Sequence, residues 1–432
     1  MSLVRYSSYK DSGLPWLGEI PKHWRVGPLK YFVRRRSGAI KTGPFGSHLT
    51  SAEMMQGTIK VYNQRNVIDN DFSAGDNFVT EAKFEQLRAF EAFPGDVLVT
   101  TRGTIGRAAI LPEDAGTGVL HPCLLRVQPD AAELDVKFLC ALIQDSNLLR
   151  TQIELYSNAT TIEVIYSETM ASLVIPVPPL EEQLQILSFL DHETGKIDAL
   201  IAEQEKLLTL MAEKRQATIS HAVTRGVNPD VPLKASGVAW LGEVPAHWRL
   251  SPLKRAVVLQ RGHDLPSEER VEGDIPVVSS GGVSGRHNKA ATSGPTIVTG
   301  RYGTIGEFTL VDEDCWPLNT ALYAIEMYDN LPRYLWYMLQ SLKHLFILNS
   351  LKTAVPGVDK NDIHPTIVCV PPVSEQAAIV AFLDAEIAKL DALKAEAERA
   401  IDLLKERRSA LISAAVTGKI DVRNAMSQEL AA

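Results

Sequence analysis

The chain has 432 residues, which is too long for one ordinary hydrophobic core and predicts at least two domains. Its content of 45% apolar and 22% charged residues is typical of soluble globular proteins, and no apolar run reaches the ~18 residues of a membrane span. The net charge of −8 argues against a protein that coats nucleic acid unselectively, although residues 1–50 hold nine Lys and Arg against two acidic residues.

The start of the chain and its cysteines predict a cytoplasmic protein. The opening residues, MSLVRYSSYKDSG, lack the apolar segment of a secretory signal. The four cysteines lie far apart without the spacing of a zinc or redox motif, and we interpret them as reduced packing residues: Cys123, Cys140, Cys315 and Cys369. No metal site is predicted.

Near the N-terminus the chain carries a phrase that it repeats later. Residues 10–30 (KDSGLPWLGEIPKHWRVGPLK) and 234–254 (KASGVAWLGEVPAHWRLSPLK) are identical at fourteen of 21 positions, which predicts an internal duplication. Gly, Pro and Trp at fixed offsets indicate a tight loop with an aromatic anchor. We expect His23 and His247 to be structural, because no carboxylate or second histidine stands near them at ligand spacing.

Each repeated phrase is followed by an interior that differs between the two copies, at about 31–177 and 255–370. Both are rich in Gly, Pro, Val, Ile and Thr and contain helical patches such as VKFLCALIQDSNLL and PRYLWYMLQSLKHLF, which predicts two α+β domains. One phrase recurs in them, GDVLVTTRGTIGRAAI (95–110) and GPTIVTGRYGTIGEFTL (294–310). In both copies a strand is predicted to enter an arginine-containing Gly-Thr-Ile-Gly turn and to leave as a second strand.

A second repeat predicts two long helices. Pro-Pro pairs at 178–179 and 371–372 end strand-like segments, and the residues after them are rich in Leu, Ala, Glu and Lys. Leu383, Leu390 and Ala397 recur every seven residues, and Leu190 and Ile197 hold the same phase in the first copy. Helices of about 40 residues would each span roughly 60 Å and need a partner, so we expect them to pair as a coiled coil.

The predicted order is therefore domain, helix, domain, helix. We assign residues 1–177 to a first domain, 178–227 to a first spacer helix, 228–370 to a second domain, 371–425 to a second spacer helix and 426–432 to a tail. No methyltransferase Asn-Pro-Pro-Tyr/Phe motif, phosphate-binding loop, nucleophile elbow or His-Glu-x-x-His motif is present. A non-catalytic chain is predicted.

These motifs, in this order and twice over, resemble the specificity (S) subunit of Type I restriction-modification systems. The features that carry the resemblance are the doubled KDSG/KASG…WLGE…P.HW opening, the doubled PP..EQ..I..FLD helix start, IKTGPFGSHL (40–49) and VVSSGGVSGRHNK…SGPTIVTGRYGTIG (277–306). The resemblance implies two target recognition domains, each reading one half of a split sequence of double-stranded DNA. It also implies spacer helices that pair antiparallel with a pseudo-two-fold axis.

Partners and cofactors follow from the resemblance alone. Two methyltransferase (M) subunits would bind the helices and methylate adenine with S-adenosylmethionine. Restriction (R) subunits would use ATP and magnesium to translocate and cut DNA. The chain itself would hold no cofactor, and no membrane contact is implied.

Direct readout of bases uses Arg, Lys, Asn, Gln, Ser and Thr held at a groove. The predicted DNA-contacting residues are Arg34, Arg36, Lys41, Thr42, Ser47, Asn63, Gln64, Arg65, Asn66, Arg102 and Thr104 in the first domain. In the second they are Ser279, Ser280, Arg286, His287, Asn288, Lys289, Arg301 and Tyr302. The alternative is that the Gly-Thr-Ile-Gly turns only fix the fold.

Two further questions stay open in the sequence. Arg215, His221, Arg407 and Arg408 on the helices could contact the methyltransferase or could be ordinary solvated positions. A different class of function, a coiled-coil scaffold that assembles proteins without reading DNA, also fits the nearly neutral interiors, since residues 1–177 sum to −1 and 228–370 to −2.

Overall fold

The computed structural model describes residues 4–45, 48–55, 57–144, 148, 151–152, 164–352, 356–423 and 425. The chain forms two units, a first unit of residues 1–203 and 400–432 and a second unit of residues 204–399. Each unit holds one of the two interiors and a part of both long helices. The predicted contact residue Ser47 and the predicted tail 426–432 lie outside the described residues.

The elements up to the first long helix are short strands and helices. The strands are β1 (Tyr9–Asp11), β2 (Glu19–Pro21), β3 (Arg25–Pro28), β4 (Ile40–Thr42), β5 (Ile59–Tyr62), β6 (Phe78–Val79), β7 (Glu91–Ala92), β8 (Val97–Thr100), β9 (Ala108–Ile110), β10 (Gly118–Leu120), β11 (Leu124–Val127) and β12 (Val174–Val177). The helices are α1 (Gln64–Ile68), α2 (Glu81–Gln86), α3 (Val136–Gln144), α4 (Ser167–Ser172) and the long α5 (Leu180–Arg225).

The elements from the second repeated phrase onward follow a similar order. The strands are β13 (Leu233–Ala235), β14 (Glu243–Pro245), β15 (Arg249–Pro252), β16 (Val258–Arg261), β17 (Ile275–Ser279), β18 (Gly282–His287), β19 (Thr296–Gly300), β20 (Phe308–Val311), β21 (Trp316–Pro317), β22 (Ala321–Glu326) and β23 (Ile367–Val370). The helices are α6 (Pro332–Ser341), α7 (Lys343–Ser350), α8 (Lys360–Ile363) and the long α9 (Val373–Val416).

Each interior contains an antiparallel four-stranded sheet with the same strand order. The order is β4-β11-β8-β9 in the first unit and β16-β22-β19-β20 in the second. The recurrent Gly-Thr-Ile-Gly phrase joins β8 to β9 and β19 to β20 as hairpins, which confirms the predicted strand-turn-strand reading. The helical patches are also confirmed, as α3 in the first unit and α6 and α7 in the second.

A second, mixed sheet differs between the units. In the first unit β5 lies parallel to β10 and leads into α1, and in the second β17 lies parallel to β21 and turns back as β18. A short helix and a β-hairpin thus follow equivalent strands. The two interiors therefore differ in secondary structure as well as in sequence at this point.

The repeated His-Trp pair binds a glutamate in the first turn of a long helix. In the first unit, Glu182 accepts hydrogen bonds from Trp24 Nε1 (3.1 Å) and the Tyr6 hydroxyl (2.7 Å), and its other oxygen lies 2.7 Å from His23 Nε2. Burial, then the hydrogen bond to this carboxylate, raises the pKa of Tyr6. The expected structural role of His23 is therefore confirmed, with a carboxylate that is 159 residues away in the sequence.

The second unit repeats this arrangement. Glu375 accepts from Trp248 Nε1 at 3.0 Å and lies 2.6 Å from His247 Nε2. The glutamine that follows each glutamate binds the first carbonyl oxygen of the Pro-Pro pair, at 2.9 Å for Gln183 and 3.0 Å for Gln376. The Glu-Gln dipeptide thus ties each helix start to its own unit.

The repeated tryptophan also contacts the end of the other long helix. A Cβ on Gly418, which follows α9, would clash with Pro21 and lie 3.1 Å from the Trp24 ring, and one on Gly226, after α5, would lie 3.3 Å from the Trp248 ring. Both glycines have positive φ, 73° and 78°, and end their helices. We call the repeated phrases, residues 10–30 and 234–254, the first and second frames. Each frame therefore contacts the beginning of one long helix and the end of the other.

Within each unit the two long helices pack side by side. In the first unit, Leu190 of α5 and Ile412 of α9 share one core, and Asp198 lies 3.0 Å from Arg408. In the second, the shared core contains Ile219 and Leu383. Arg215 also forms an ion pair with Asp391 in the second unit. In each unit the residue numbers on α9 fall as those of their partners on α5 rise, so the pairing is antiparallel, as expected.

Some of the heptad positions on the two long helices are buried, and others, such as Leu208 and Leu404, are only half-buried. The members nine-tenths or more buried are Leu190, Ile197, Leu383, Ile387, Leu390, Ala397 and Ile401. Helix α9 ends at Val416, so it is shorter than the predicted segment 371–425. Among the described residues no helix has both the length and the apolarity needed to cross a membrane.

Candidate nucleic-acid interface

In the first unit, three loops with predicted contact residues converge on one segment, residues 121–124. This segment donates from its first N–H to the Tyr62 carbonyl (2.9 Å) and accepts from the N–H groups of Gly43 (2.8 Å) and Thr101 (2.9 Å). The side of Gly43 faces the His121 carbonyl so closely that a Cβ would clash. We call residues 43–45, 62–66, 101–106 and 121–124 the first loop cluster.

The second unit has the same arrangement around residues 318–321. This segment donates to the Val278 carbonyl (2.8 Å) and accepts from the N–H groups of Gly262 (3.0 Å) and Arg301 (2.9 Å). We call residues 262–264, 278–281, 301–306 and 318–321 the second loop cluster. The matching bonds place the two clusters at equivalent ends of equivalent sheets.

The bonds also fix which turn residues correspond. Thr101 and Arg301 make the same backbone bond, so Tyr302, and not Arg301, holds the position of Arg102. Gly103 and Gly303 then coincide, with φ of 65° and 74°. The two arginines that the sequence suggested as counterparts therefore differ by one position.

Several predicted contact residues of the first unit are held by internal hydrogen bonds. Asn63 caps α1 and forms a reciprocal capping box with Asn66, which is buried and donates to the carbonyl oxygens of Asp71 and Ala74 at 2.8 Å. The Thr42 hydroxyl lies 2.7 Å from that of Ser167 in α4. These side chains position the loops.

Other predicted residues of the first unit present their side chains outward. Arg102, Thr104 and Arg65 are exposed, and Arg65 forms an ion pair with Asp69 at 3.0 Å. Gln64 is half-buried and lies next to Gly103, so α1 and the β8–β9 turn present adjacent polar groups. The Lys41 ammonium lies 5.0 Å from the centre of the Phe90 ring, beyond the cluster.

Arg34 and Arg36 lie away from the first loop cluster. The Arg34 N–H donates to the carbonyl of Gln128 (2.9 Å), and the Arg36 guanidinium donates to its side-chain oxygen (2.6 and 2.9 Å). Gln128 directly follows β11 and is four residues, or about 13 Å of extended chain, beyond Leu124, the last residue of the segment 121–124. These arginines line a cleft of about 540 Å³ with Lys30 and without an acidic residue.

The arginines belong to an insertion that the second unit lacks. Residues 32–42 separate the 3-10 turn ending at Tyr31 from Gly43, whereas residues 256–261 separate the equivalent turn from Gly262. The first unit is thus longer by five residues here, and three consecutive arginines, 34–36, occupy the added length.

The predicted residues of the second unit fall into two groups. Ser279 and Ser280 form the β17–β18 turn, and the Thr304 hydroxyl donates to the Ser280 carbonyl, which joins that turn to the β19–β20 turn. Arg301 lies 4.9 Å from the centre of the exposed Tyr302 ring. These four residues belong to the second loop cluster.

The other group lies at the opposite end of the hairpin. His287 pairs with Ile275, is buried, accepts a hydrogen bond from the Val271 N–H (3.1 Å) and packs edge-on against Trp316. Arg286 bonds the Asp274 carbonyl, and the exposed Asn288 and Lys289 follow. The structure therefore does not bring residues 286–289 together with the second loop cluster.

One central residue was missed in the sequence. His121 is half-buried in the first loop cluster, and its Nδ1 accepts a hydrogen bond from the Cys123 N–H at 3.1 Å. Burial, and then the charge of Arg102, lowers its pKa. A lone histidine followed by Pro-Cys carries no local signal of this position. Among the described residues no cluster of His, Cys, Asp or Glu could hold a metal ion.

Comparison with known proteins decides the family. A sequence profile described as the Type I restriction modification DNA specificity domain matches residues 48–209 and 256–401, well over half of the chain. The chain belongs to this family. It is a DNA specificity subunit of a Type I restriction-modification system, as the motifs predicted, and its matched domains are specificity domains rather than catalytic ones.

Individual relatives agree with this assignment. The putative Type I restriction enzyme MjaX specificity subunit of Methanocaldococcus jannaschii is 23% identical over 439 residues, covering 94% of this chain and 96% of that protein. The EcoKI specificity subunit of Escherichia coli K12 is 22% identical over 308 residues, 64% of each chain. As a specificity subunit, the chain is part of a Type I restriction enzyme complex.

Solved structures show the same fold. A chain from a Type I R-M system, solved to explain its complex assembly and conformational transition, superposes with a TM-score of 0.66 at 18% identity, covering 92% of this chain and 98% of that one. The HsdS subunit of Thermoanaerobacter tengcongensis gives a TM-score of 0.50 at 18% identity, covering 93% and 98%. The predicted α+β fold with two paired long helices is confirmed.

Proposed function

We propose that the specificity subunit reads a bipartite, asymmetric DNA sequence, with one half-site for each unit. The single observation that carries the proposal is the equivalence of the two loop clusters, which lie at matching ends of matching sheets but present different side chains. A duplex has a pseudo-dyad, so a reader built from two equivalent units suits a split site. Different side chains at equivalent positions would read two unlike half-sites.

Within this function, the outward-facing residues of the clusters are the base-reading candidates. In the first unit they are Gln64, Arg65, Arg102 and Thr104, and in the second Ser280, Arg301 and Tyr302. The internally bonded residues support them, and Ser47 remains a candidate from sequence alone. We expect Arg286, Asn288 and Lys289 to meet phosphates outside the second loop cluster, because base-edge contacts would come from the turns.

The arginine insertion suits a phosphate contact. Arg34 and Arg35 are exposed, and no ion pair holds them among the described residues. The Arg36 guanidinium donates to the neutral amide of Gln128 and lies 5.6 Å from the centre of the Phe93 ring. A cleft with four cations and no acid attracts a DNA backbone, which carries a charge about every 1.7 Å of duplex axis. We assign this segment to sequence-independent binding on the first unit's side.

The long helices are the proposed platform for two methyltransferase subunits. In the first unit Leu200 and Leu403 are 51% and 65% exposed, and in the second Leu393 and Leu210 are 48% and 51% exposed. Glu182 and Glu375 hold equivalent positions, 193 residues apart. The same offset makes Leu200 equivalent to Leu393 and Leu210 equivalent to Leu403. Each unit thus offers one equivalent pair, as two copies of one partner require.

The partners would carry the chemistry. Each methyltransferase subunit would methylate adenine with S-adenosylmethionine, and restriction subunits recruited through them would use ATP and magnesium. The proposed location is the cytoplasm, where the DNA is. Arg215 and Arg408 are occupied by ion pairs with Asp391 and Asp198, which favours their solvated, structural reading over partner contact.

The test maps adenine methylation across a sequenced plasmid by the chain purified with its methyltransferase subunit. We expect one split motif with a constant gap. Replacing residues 255–370 with the interior of another family member should change one half of the motif and leave the other half and the gap unchanged. A contiguous motif, or a change in both halves, contradicts the proposal. A stable complex that methylates no site would favour the scaffold.

A further inference from the structure

The first loop cluster has a histidine at its centre that neither the motifs nor the family match assigns. His121 begins the segment that bonds to all three converging loops, and its own N–H is the donor to the Tyr62 carbonyl. The loops on either side of it carry Gln64 and Arg102. A side chain at this position lies among the groups proposed to read the first half-site.

The hydrogen bonds of His121 leave it one tautomer. Because the Cys123 N–H donates to Nδ1, that nitrogen is unprotonated and the ring proton is on Nε2. The ring stays neutral near pH 7, since burial and the charge of Arg102 both disfavour a second proton. Nε2 has no hydrogen-bond partner among the described residues. The cluster therefore holds a neutral, pre-oriented donor that is not yet used.

We propose that His121 is a specificity-determining residue of the first unit. Its Nε2–H would donate to an acceptor atom on the edge of a DNA base next to the one that Arg102 contacts. The inference rests on the proposed function, in which the first unit reads one half-site. A neutral donor adds little general attraction to phosphate, so its contribution is discrimination between bases.

The second unit supplies an internal comparison. Leu318 occupies the position of His121, because it makes the equivalent backbone bond to the Val278 carbonyl. It is also half-buried, and its side chain offers no donor. The two units thus differ at one matched position in hydrogen-bonding capacity, and the fold accepts leucine there.

The experiment compares His121→Leu with the wild type in complex with the methyltransferase subunit, by mapping methylated adenines and measuring initial rates on duplexes with each single base change. We expect His121→Leu to relax one position of the first half-site, with discrimination falling about three- to tenfold. The second half-site and the gap should be unchanged. Leu318→His, the reciprocal change, should alter one position of the second half-site only.

The controls separate this inference from the function on which it rests. Unaltered discrimination at every first half-site position overturns the role of His121 and leaves bipartite reading intact. An equal fall in rate at all sequences also overturns it, because that result marks a sequence-independent contact. If the wild type shows no split motif, both proposals fail. Thermal unfolding of His121→Leu, and its undisturbed second half-site, show that the variant is folded.

Discussion

At the scale of single residues, the glutamate in the first turn of each long helix explains why the chain repeats a His-Trp phrase. Glu182 is nearly buried and is the acceptor for two buried donors, whereas Glu375 is 38% exposed. A carboxylate in such a place cannot be removed without leaving polar groups unpaired. The His-Trp phrase is therefore repeated because each long helix begins with a glutamate that must be hydrogen-bonded.

The substitution Glu182→Ala should destabilise the chain by about 2–4 kcal/mol, since the Tyr6 hydroxyl and the Trp24 indole N–H would both lose their acceptor inside the core. Chemical denaturation measures the effect. Glu181→Ala is the matched control. The Glu181 side chain is exposed, so its removal should change stability by less than about 0.5 kcal/mol. Equal effects of the two variants would show that the hydrogen bonds to Glu182 do not contribute specially to stability.

The same comparison applies to the second frame. Glu375→Ala should cost less than Glu182→Ala, because water can reach the groups that it leaves. A larger loss of stability in Glu375→Ala would show that burial of the carboxylate does not set how much these hydrogen bonds stabilise the chain.

At the scale of elements, the long helices have two kinds of leucine. Leu383 is fully buried in the seam, and Leu393, ten residues later on the same helix, is about half exposed. Seam positions stabilise the pair by removing apolar surface from water, whereas the exposed leucines repeat at equivalent places and leave about half of their side-chain surface in water. The same substitution should therefore lower stability at a seam position and partner affinity at an exposed leucine.

Leu383→Ala should lower the free energy of unfolding by about 2–4 kcal/mol through a cavity in the seam. Leu393→Ala should leave stability within about 0.5 kcal/mol of the wild type and weaken binding of the methyltransferase subunit. Denaturation measures the first effect, and titration calorimetry with the partner measures the second. Unchanged partner affinity in Leu393→Ala would remove this leucine from the proposed platform.

The arginine insertion is also an element-scale feature, present in one unit only. Replacing Arg34, Arg35 and Arg36 together by Gln should lower the slope of log affinity against log salt by about 2–3, because about 0.9 counterion is released for each phosphate contact. The recognised motif should not change. Binding of a matched duplex to the complex at several salt concentrations provides the slope.

A control with the same loss of charge is available on α9, where Lys394, Arg399 and Lys405 are exposed. Their replacement by Gln should leave the slope nearly unchanged. If both triple variants reduce it equally, the effect comes from net charge and the cleft is not a specific contact.

At the scale of the whole molecule, the course of the chain places the C-terminal part of α9 in the first unit and the C-terminal part of α5 in the second. Each frame holds the start of its own helix and the end of the other, through Glu182 and Gly418 or Glu375 and Gly226. The first unit therefore combines two separate pieces of sequence, whereas the second is one continuous piece, residues 204–399. Each interior is one continuous segment, which is why we expect the interiors to be exchangeable without disturbing the contacts that hold the helix ends.

Local patterns in the sequence were enough to predict the doubled plan, the two long helices with their heptads, the strand-turn-strand phrases and the family. These features are written in local patterns, where a period of seven or a Gly-Pro-Trp offset reflects contacts that every copy of the motif must make. The structural role of His23 was also predictable, although its partner was not.

Packing in three dimensions sets which residues meet. It brought Glu182 to a histidine 159 positions away, matched Arg102 with Tyr302, separated residues 286–289 from the second loop cluster and placed His121 at the centre of the first. Strand order and pairing register set these contacts, and both depend on packing between segments distant in the chain. Composition and spacing do not predict such long-range contacts. Local patterns therefore predicted the repeated elements, and only the folded structure showed which residues form the candidate site.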